Sequence, residues 1–173
     1  FEVTHNISKP NGIAVSPDGR MLFVADHDNG TDNIDPDAKV PPVEGDMKIY
    51  GWWLKQNGRI KSPRFTLVDF SRFEMKGCDG MTIDASGNLY LTVRESARPG
   101  VMVISPFEGR NVGYISTGPI GQDQATAVGL PSNVEFGIGK DANLLYITVD
   151  TSLYRIRLKT RGFHVQYRGR KYE

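Results

Sequence analysis

The sequence contains a single cysteine, Cys78, among its 173 residues. One cysteine cannot form an intrachain disulfide, so a small fold held together by disulfides is excluded. A lone cysteine is compatible with the reducing cytoplasm and does not exclude the periplasm. The cellular location therefore stays open.

The chain also lacks long apolar runs and an excess of either charge. It has no stretch of about 18 apolar residues, so the sequence predicts no membrane-spanning helix. The net charge of +1 gives no electrostatic reason to expect binding to nucleic acid or to an anionic membrane. The first residues show neither a basic start nor a following apolar run, so no signal peptide is visible.

The sequence does contain one pattern that recurs. A polar residue precedes a short apolar strand, a turn follows, and a second apolar strand ends near a carboxylate. The pattern occupies residues 10–26, 78–93 and 131–150, at offsets of about 68 and 54 residues. These spacings are near the period expected of propeller blades.

Turn signals divide each repeat into short strands. Pro17-Asp18-Gly19 and Gln56-Asn57-Gly58 are typical of tight hairpin turns, because glycine readily adopts a positive φ. No segment keeps a 3.6-residue apolar period over the length of a helix, so we predict an all-β fold. The predicted strands are 12–16, 21–25, 47–54 and 59–69, then 79–84, 88–94, 100–105 and 110–117, then 133–136, 143–149, 152–158 and 163–168.

Four short antiparallel strands in each repeat predict the blades of a β-propeller. We place the blades roughly at residues 10–70, 78–118 and 131–170, which makes about three blades of a six-bladed propeller. Three blades are too few to close a ring. Either the chain is part of a larger propeller or two copies complete the ring. We prefer the first, because an open three-blade piece would expose apolar blade faces.

Three polar residues, Asn11, Asp79 and Asn133, stand at the starts of the predicted innermost strands. Propeller topology places such residues on one face around the axis. Their amide and carboxylate oxygens suit a hard cation such as Ca²⁺, which takes about six to eight oxygen ligands. Asn and Asp before Gly also shape turns through side-chain to backbone hydrogen bonds. The spacing alone leaves both interpretations open.

Other polar side chains are weaker candidates. Cys78 has no base beside it in the sequence, so we expect a small buried residue rather than a nucleophile. Asp26 and Glu95 follow the second strands, where we expect exposed, solvated carboxylates. Residues 26–46 form a long acidic loop that does not follow the EF-hand order of ligands, so we expect a solvated loop. The histidines lack the spacing of zinc ligands: His5, His27 and His164.

Five stretches, in this order along the chain, resemble the SMP-30/gluconolactonase/LRE-like family of calcium-type lactonases. They are PNGIAVSPDG at 10–19, DGMTID at 79–84, PGVMVISP at 99–106, SNVEFG at 132–137 and TSLYRI at 151–156. The set extends over nearly the whole chain. The resemblance implies that residues 1–173 form the C-terminal part of a single six-bladed propeller.

The resemblance also implies a site and an activity. The family holds a metal ion with a glutamate near its N-terminus, the Asn of an Asn-Gly motif and the Asp of an Asp-Gly-Met motif. The last two correspond to Asn11 and Asp79. Asp79 is also implied as the general base in metal-dependent hydrolysis of a sugar lactone or a related cyclic ester. The implied ion is divalent, with calcium preferred over zinc, magnesium or manganese.

The chain departs from the family in several respects, among them the long acidic loop 26–46, which would cap the site in its own way. The glutamate ligand has no counterpart here, and Cys78 stands where the family usually has a proline before Asp-Gly-Met. The expected partners are a small lactone and either the remaining propeller blades or a second copy that closes the ring. Neither nucleic acid nor a membrane is expected as a partner.

The alternative function is a non-catalytic propeller that binds a partner or a carbohydrate on its top face. Trp52 and Trp53 would suit a carbohydrate surface. Adjacent residues of a strand point to opposite faces, however, so we expect at least one of the two in the core. Detectable hydrolysis of a lactone distinguishes the two functions.

Overall fold

The computed structural model describes residues 2–27, 44–73 and 75–165. Its described part contains strands and two short 3-10 turns, and no helix there is long and apolar enough to span a bilayer. Most of the predicted acidic loop 26–46 lies outside the described residues.

The strands form three antiparallel sheets in which strands that follow one another in the sequence are neighbours in space. The first sheet contains β1 (Pro10–Val15), β2 (Met21–Asp26), β3 (Lys48–Trp53) and β4 (Phe65–Asp69). The second contains β5 (Cys78–Ile83), β6 (Leu89–Val93), β7 (Gly100–Ser105) and β8 (Arg110–Ser116). The third contains β9 (Pro131–Phe136), β10 (Leu144–Val149) and β11 (Ser152–Arg157).

The hairpin between β1 and β2 shows how local sequence fixes these strands. Gly19 has a φ of 72°, and its N–H donates to the Ser16 carbonyl at 2.8 Å. The Ser16 hydroxyl donates to Asp18 Oδ1 at 2.6 Å, and this bond lowers the pKa of Asp18. Asp, Gly and the preceding Ser therefore close the turn predicted from Pro17-Asp18-Gly19.

The innermost strand of each sheet packs on the next one, β1 on β5 and β5 on β9. β6 is buried on both faces because it lies between the two interfaces. Leu89, Leu91 and Val93 belong to the core between the first and second sheets. Tyr90, which alternates with them, belongs to the core between the second and third sheets and packs edge-on against Phe136.

Trp52 and Trp53 are divided between core and surface, as the alternation of β3 predicts. Trp52 is 3% exposed and belongs to a small cluster with Val24 and Tyr50. Trp53 is 43% exposed. At most one of the two indole rings is therefore available to a ligand.

The third sheet has three strands in the described part of the chain, and the prediction of a last strand at 163–168 is wrong for its described residues, 163–165. The chain there returns to the second sheet. Phe163 N–H donates to the Ile83 carbonyl at 3.0 Å, and Ala85 N–H donates to the Arg161 carbonyl at 2.8 Å. The backbone groups of Arg161 and Phe163 thus bond to the second sheet rather than to β11, whose residues are all exposed.

Candidate functional site

The three innermost strands share a β-bulge at the position of the polar motif residue. In β1, Pro10 pairs with Asp26 and the next pair is Ile13 with Val24, so Asn11 and Gly12 together face one residue of β2. Bulges of this kind redirect side chains and are frequent beside active sites.

The bulges of the second and third sheets occur at the corresponding points. In β5 the register shifts between Cys78 and Met81, and Asp79 and Gly80 together face Thr92 of β6. In β9 the shift leaves Ser132 as the extra residue before Asn133. The repeat seen in the sequence is therefore also a repeat of backbone geometry.

Two glycines bring the bulges of neighbouring sheets together. A Cβ on Gly12 would lie 2.6 Å from the Asp79 carbonyl oxygen and 2.9 Å from the Met81 nitrogen. A Cβ on Gly80 would lie 2.9 Å from the Asn133 Cα. Neither glycine has a positive φ, so close approach, not backbone conformation, requires them. The structure thereby places Asn11, Asp79 and Asn133 on adjoining bulges.

The side chains of these three residues differ in their local bonds. Asn133 Oδ1 accepts the Val134 N–H at 2.9 Å, as the turn interpretation predicts. Among the described residues, the Asn11 amide and the Asp79 carboxylate make no such bond. Asn11 is exposed and Asp79 is partly exposed. Both groups are thus accessible to a ligand, and their roles in metal binding and catalysis stay predictions.

The chemistry of Asn11 and Asp79 fits part of a hard-cation site. One amide and one carboxylate are the oxygen donors that Ca²⁺ accepts with loose geometry. The described residues contain no group of three or more His, Cys, Asp or Glu side chains that could hold a metal. The two residues would therefore supply part of a coordination shell, and the remaining oxygens would have to come from outside the described residues or from solvent and substrate.

The comparison with known proteins finds a relative by sequence. No protein-family model matches the chain. A gluconolactonase of Zymomonas mobilis subsp. mobilis is 32% identical over 162 residues, which cover 90% of this chain and 36% of that protein. The chain is a gluconolactonase homologue. It spans about a third of the length of this curated relative.

Solved structures extend the likeness to the fold. A luciferin-regenerating enzyme matches with a TM-score of 0.64 and 22% identity, over 91% of this chain and 48% of that chain. The calcium-binding protein regucalcin of Agrobacterium tumefaciens matches with a TM-score of 0.64 and 17% identity, over 94% of this chain and 50% of that chain. The sheets of this gluconolactonase homologue are therefore propeller blades, and the predicted fold class is confirmed.

The sequence did not predict the role of one carboxylate in the first sheet, that of Asp26. Asp26 is fully buried, so the prediction of an exposed loop carboxylate is wrong for it. Its carboxylate accepts the Ser8 and Lys9 N–H groups at 2.9 Å each and the Asp46 N–H at 3.2 Å. Ser8 and Lys9 lead directly into β1, so Asp26 fixes the chain just before Asn11.

The other two sheets carry a carboxylate at the corresponding place. Glu95 follows β6, and its Oε2 accepts the Lys76 N–H at 3.1 Å, just before β5. Asp150 follows β10 and accepts the Gly129 and Leu130 N–H groups at 2.6 and 3.2 Å, just before β9. We call Asp26, Glu95 and Asp150 the clamp carboxylates. The signal for them in the sequence was the carboxylate that recurs after each second strand.

Cys78 is buried beside the bulge of the second sheet, as predicted. Burial, and next the charge of Asp79, raise the pKa of its thiol. Its Sγ lies 3.2 Å from the Gly80 carbonyl oxygen, to which the thiol donates. Because a protonated thiol is a poor nucleophile, this environment argues against covalent catalysis by Cys78.

Proposed function

We propose that the complete protein hydrolyses a sugar lactone or a related cyclic ester with the help of a divalent cation, calcium in the first place. One observation carries this proposal. In a homologue of a gluconolactonase, the oxygen-bearing side chains of Asn11 and Asp79 occupy adjoining bulges, joined where Gly12 packs on the Asp79 carbonyl. Calcium is preferred because both donors are oxygens and because regucalcin, which has the same fold, is a calcium-binding protein.

Asp79 would act as general base in this reaction. Its carboxylate is partly exposed, so a water molecule can reach it. The carboxylate takes a proton from this water as the water oxygen attacks the carbonyl carbon of the lactone. The ring C–O bond then breaks, and the ring oxygen receives the proton from Asp79, which gives the open hydroxy acid. A bound cation supplies polarisation of the lactone carbonyl.

Asn11 would hold the cation together with Asp79. Its amide oxygen is a neutral ligand, so it binds without adding a second negative charge next to the base. The remaining ligands and the contacts to the substrate would come from the rest of the propeller, supplied by further blades of the same polypeptide or by a second copy.

The decisive test is the substitution Asp79→Asn in the complete protein, with gluconolactone as the substrate and calcium present. We expect turnover to fall by roughly 10²–10⁴-fold, the usual contribution of a general base. Glu108→Gln is the matched control, because Glu108 is an exposed carboxylate paired with Arg110 in a distant turn. Full activity of Asp79→Asn contradicts the base role. Calcium binding by a wild-type protein that hydrolyses no lactone supports the non-catalytic propeller instead.

A further inference from the structure

We infer that Thr92 is a positioning residue for Asp79, an inference that rests on the function proposed above. Thr92 is fully buried on β6 and lies opposite the bulge formed by Asp79 and Gly80. Its hydroxyl donates to the Gly80 carbonyl oxygen at 2.8 Å. It touches neither substrate nor cation in this role and acts through the backbone that carries Asp79.

The bulge explains why the Gly80 carbonyl needs such a donor. Asp79 and Gly80 have no paired residue of their own on β6, because the register shifts between Cys78 and Met81. A buried carbonyl outside the regular ladder costs free energy unless a donor satisfies it. Thr92 supplies that donor, and the Cys78 thiol supplies a weaker one at 3.2 Å. These bonds fix the orientation of the peptide between Gly80 and Met81, one residue beyond Asp79.

A contact from the neighbouring sheet restricts the same peptide, because a Cβ on Gly12 would lie 2.9 Å from the Met81 nitrogen. Gly12 packs so closely on the Asp79 carbonyl oxygen that a Cβ would lie 2.6 Å from it. The Thr92 hydroxyl also lies 3.5 Å from the Ser132 carbonyl of the third sheet. Thr92 therefore lies at the contact between the second and third sheets, opposite the bulge that carries Asp79.

The equivalent positions in the other sheets differ from Thr92 in their side chain or in its burial. In the first sheet the residue opposite the bulge is Ala25, which has no hydroxyl. In the third sheet it is Thr148, which is exposed; its Oγ1 accepts the Asn133 N–H at 2.9 Å and donates to the Asn133 carbonyl oxygen at 3.3 Å. Of these three positions, only that of Thr92 places a buried hydroxyl opposite a bulge, and this bulge carries the proposed base, Asp79.

The test compares Thr92→Val with Thr92→Ser and Thr148→Val in the complete protein. Valine removes the hydroxyl and keeps the shape of the side chain, whereas serine keeps the hydroxyl. Calcium affinity is measured by calorimetry on metal-free protein, and kcat and KM are measured with gluconolactone. For Thr92→Val we expect calcium affinity and kcat to fall by roughly ten- to a hundredfold, the usual effect of losing a residue that orients a ligand, with KM unchanged. Thr92→Ser should restore both values.

Thr148→Val controls for the loss of a hydroxyl opposite a bulge, and we expect it to leave calcium affinity and kcat unchanged. The positioning role is overturned if Thr92→Val binds calcium like the wild type, or if Thr92→Ser is as defective as Thr92→Val. Should Thr92→Val not fold, Thr92→Ala tests the same loss with a smaller side chain. A wild-type protein that hydrolyses no gluconolactone overturns the proposed function itself, whereas activity that is lost in Asp79→Asn and kept in Thr92→Val overturns only the positioning role.

Discussion

The first and second sheets hold their proposed site residues by different means. In the first sheet, the clamp carboxylate Asp26 accepts two backbone N–H groups just before β1 and one just before β3, and the residue opposite the bulge is Ala25. In the second sheet, the clamp carboxylate Glu95 binds one N–H before β5, and the buried hydroxyl of Thr92 fixes the bulge itself. The β-bulge is thus stabilised in the first sheet by bonds to the chain that leads into the strand, and in the second sheet by a bond to the bulge itself.

This difference indicates that the repeat preserves backbone geometry more than it preserves side chains. A bulge leaves backbone groups outside the ladder, and those groups need partners wherever they are buried. A carboxylate or a hydroxyl can provide the partner. The third sheet has both an exposed clamp carboxylate, Asp150, and an exposed hydroxyl, Thr148, and serves as an internal control for each.

The largest effect is expected where the two sheets meet, at Gly12. Gly12→Ala places a Cβ 2.6 Å from the Asp79 carbonyl oxygen and 2.9 Å from the Met81 nitrogen, and both are backbone atoms that cannot rotate away. We expect a loss of stability at the upper end of the roughly 1–3 kcal/mol that overpacking costs. Calcium affinity should fall as well, because the bulges of Asn11 and Asp79 are pushed apart. Denaturant unfolding and calcium titration measure the two effects.

Gly113→Ala is the matched control for this prediction. Gly113 lies in β8, and its Cβ would meet only the Val103 side chain at an ordinary 3.7 Å. We expect a change within about 0.5 kcal/mol and no effect on calcium binding. If Gly12→Ala is as stable as Gly113→Ala, the close contact between the first two sheets does not constrain the site.

A smaller effect is expected from the clamp carboxylates. Asp26→Asn replaces one acceptor oxygen by a donor in a fully buried position, where it opposes backbone N–H groups. We expect a loss of about 2 kcal/mol in unfolding free energy for Asp26→Asn, and about 1 kcal/mol for the exposed Asp150→Asn. Chemical denaturation of both variants gives the values. Equal losses would show that burial does not distinguish the clamp of the first sheet from that of the third.

The sequence predicted the fold where the signals were local. Pro17-Asp18-Gly19 predicted a tight turn, and Asp18 and Gly19 close it by bonding to Ser16, their near neighbour in the chain. The positions of Asn11 and Asp79 at the strand starts followed from the same repeat. Short-range chemistry was therefore sufficient for the turns, the strands and the location of the motif residues.

The sequence did not predict features that depend on distant partners. The role of Asp26 depends on Ser8 and Lys9, which come close only after the sheet has formed. The alternating pattern at 163–168 resembled a strand, but Phe163 packs against the core between the first and second sheets and bonds to Ile83. An alternating pattern of apolar residues indicates that one face of a segment is buried, but it does not indicate which sheet buries that face.

The smallest effect is expected at Cys78, whose thiol lies beneath the same bulge as Thr92. In the native protein, we expect iodoacetamide to leave Cys78 unmodified, because its side chain is buried and burial raises the thiol pKa. In denaturant the thiol should react, and faster as the pH approaches its ordinary pKa of about 9. Mass spectrometry of the alkylated protein follows both reactions. Rapid alkylation of the native protein would show that the bulge of the second sheet opens in solution, and the buried bond from Thr92 to Gly80 would then be unable to hold Asp79 in place.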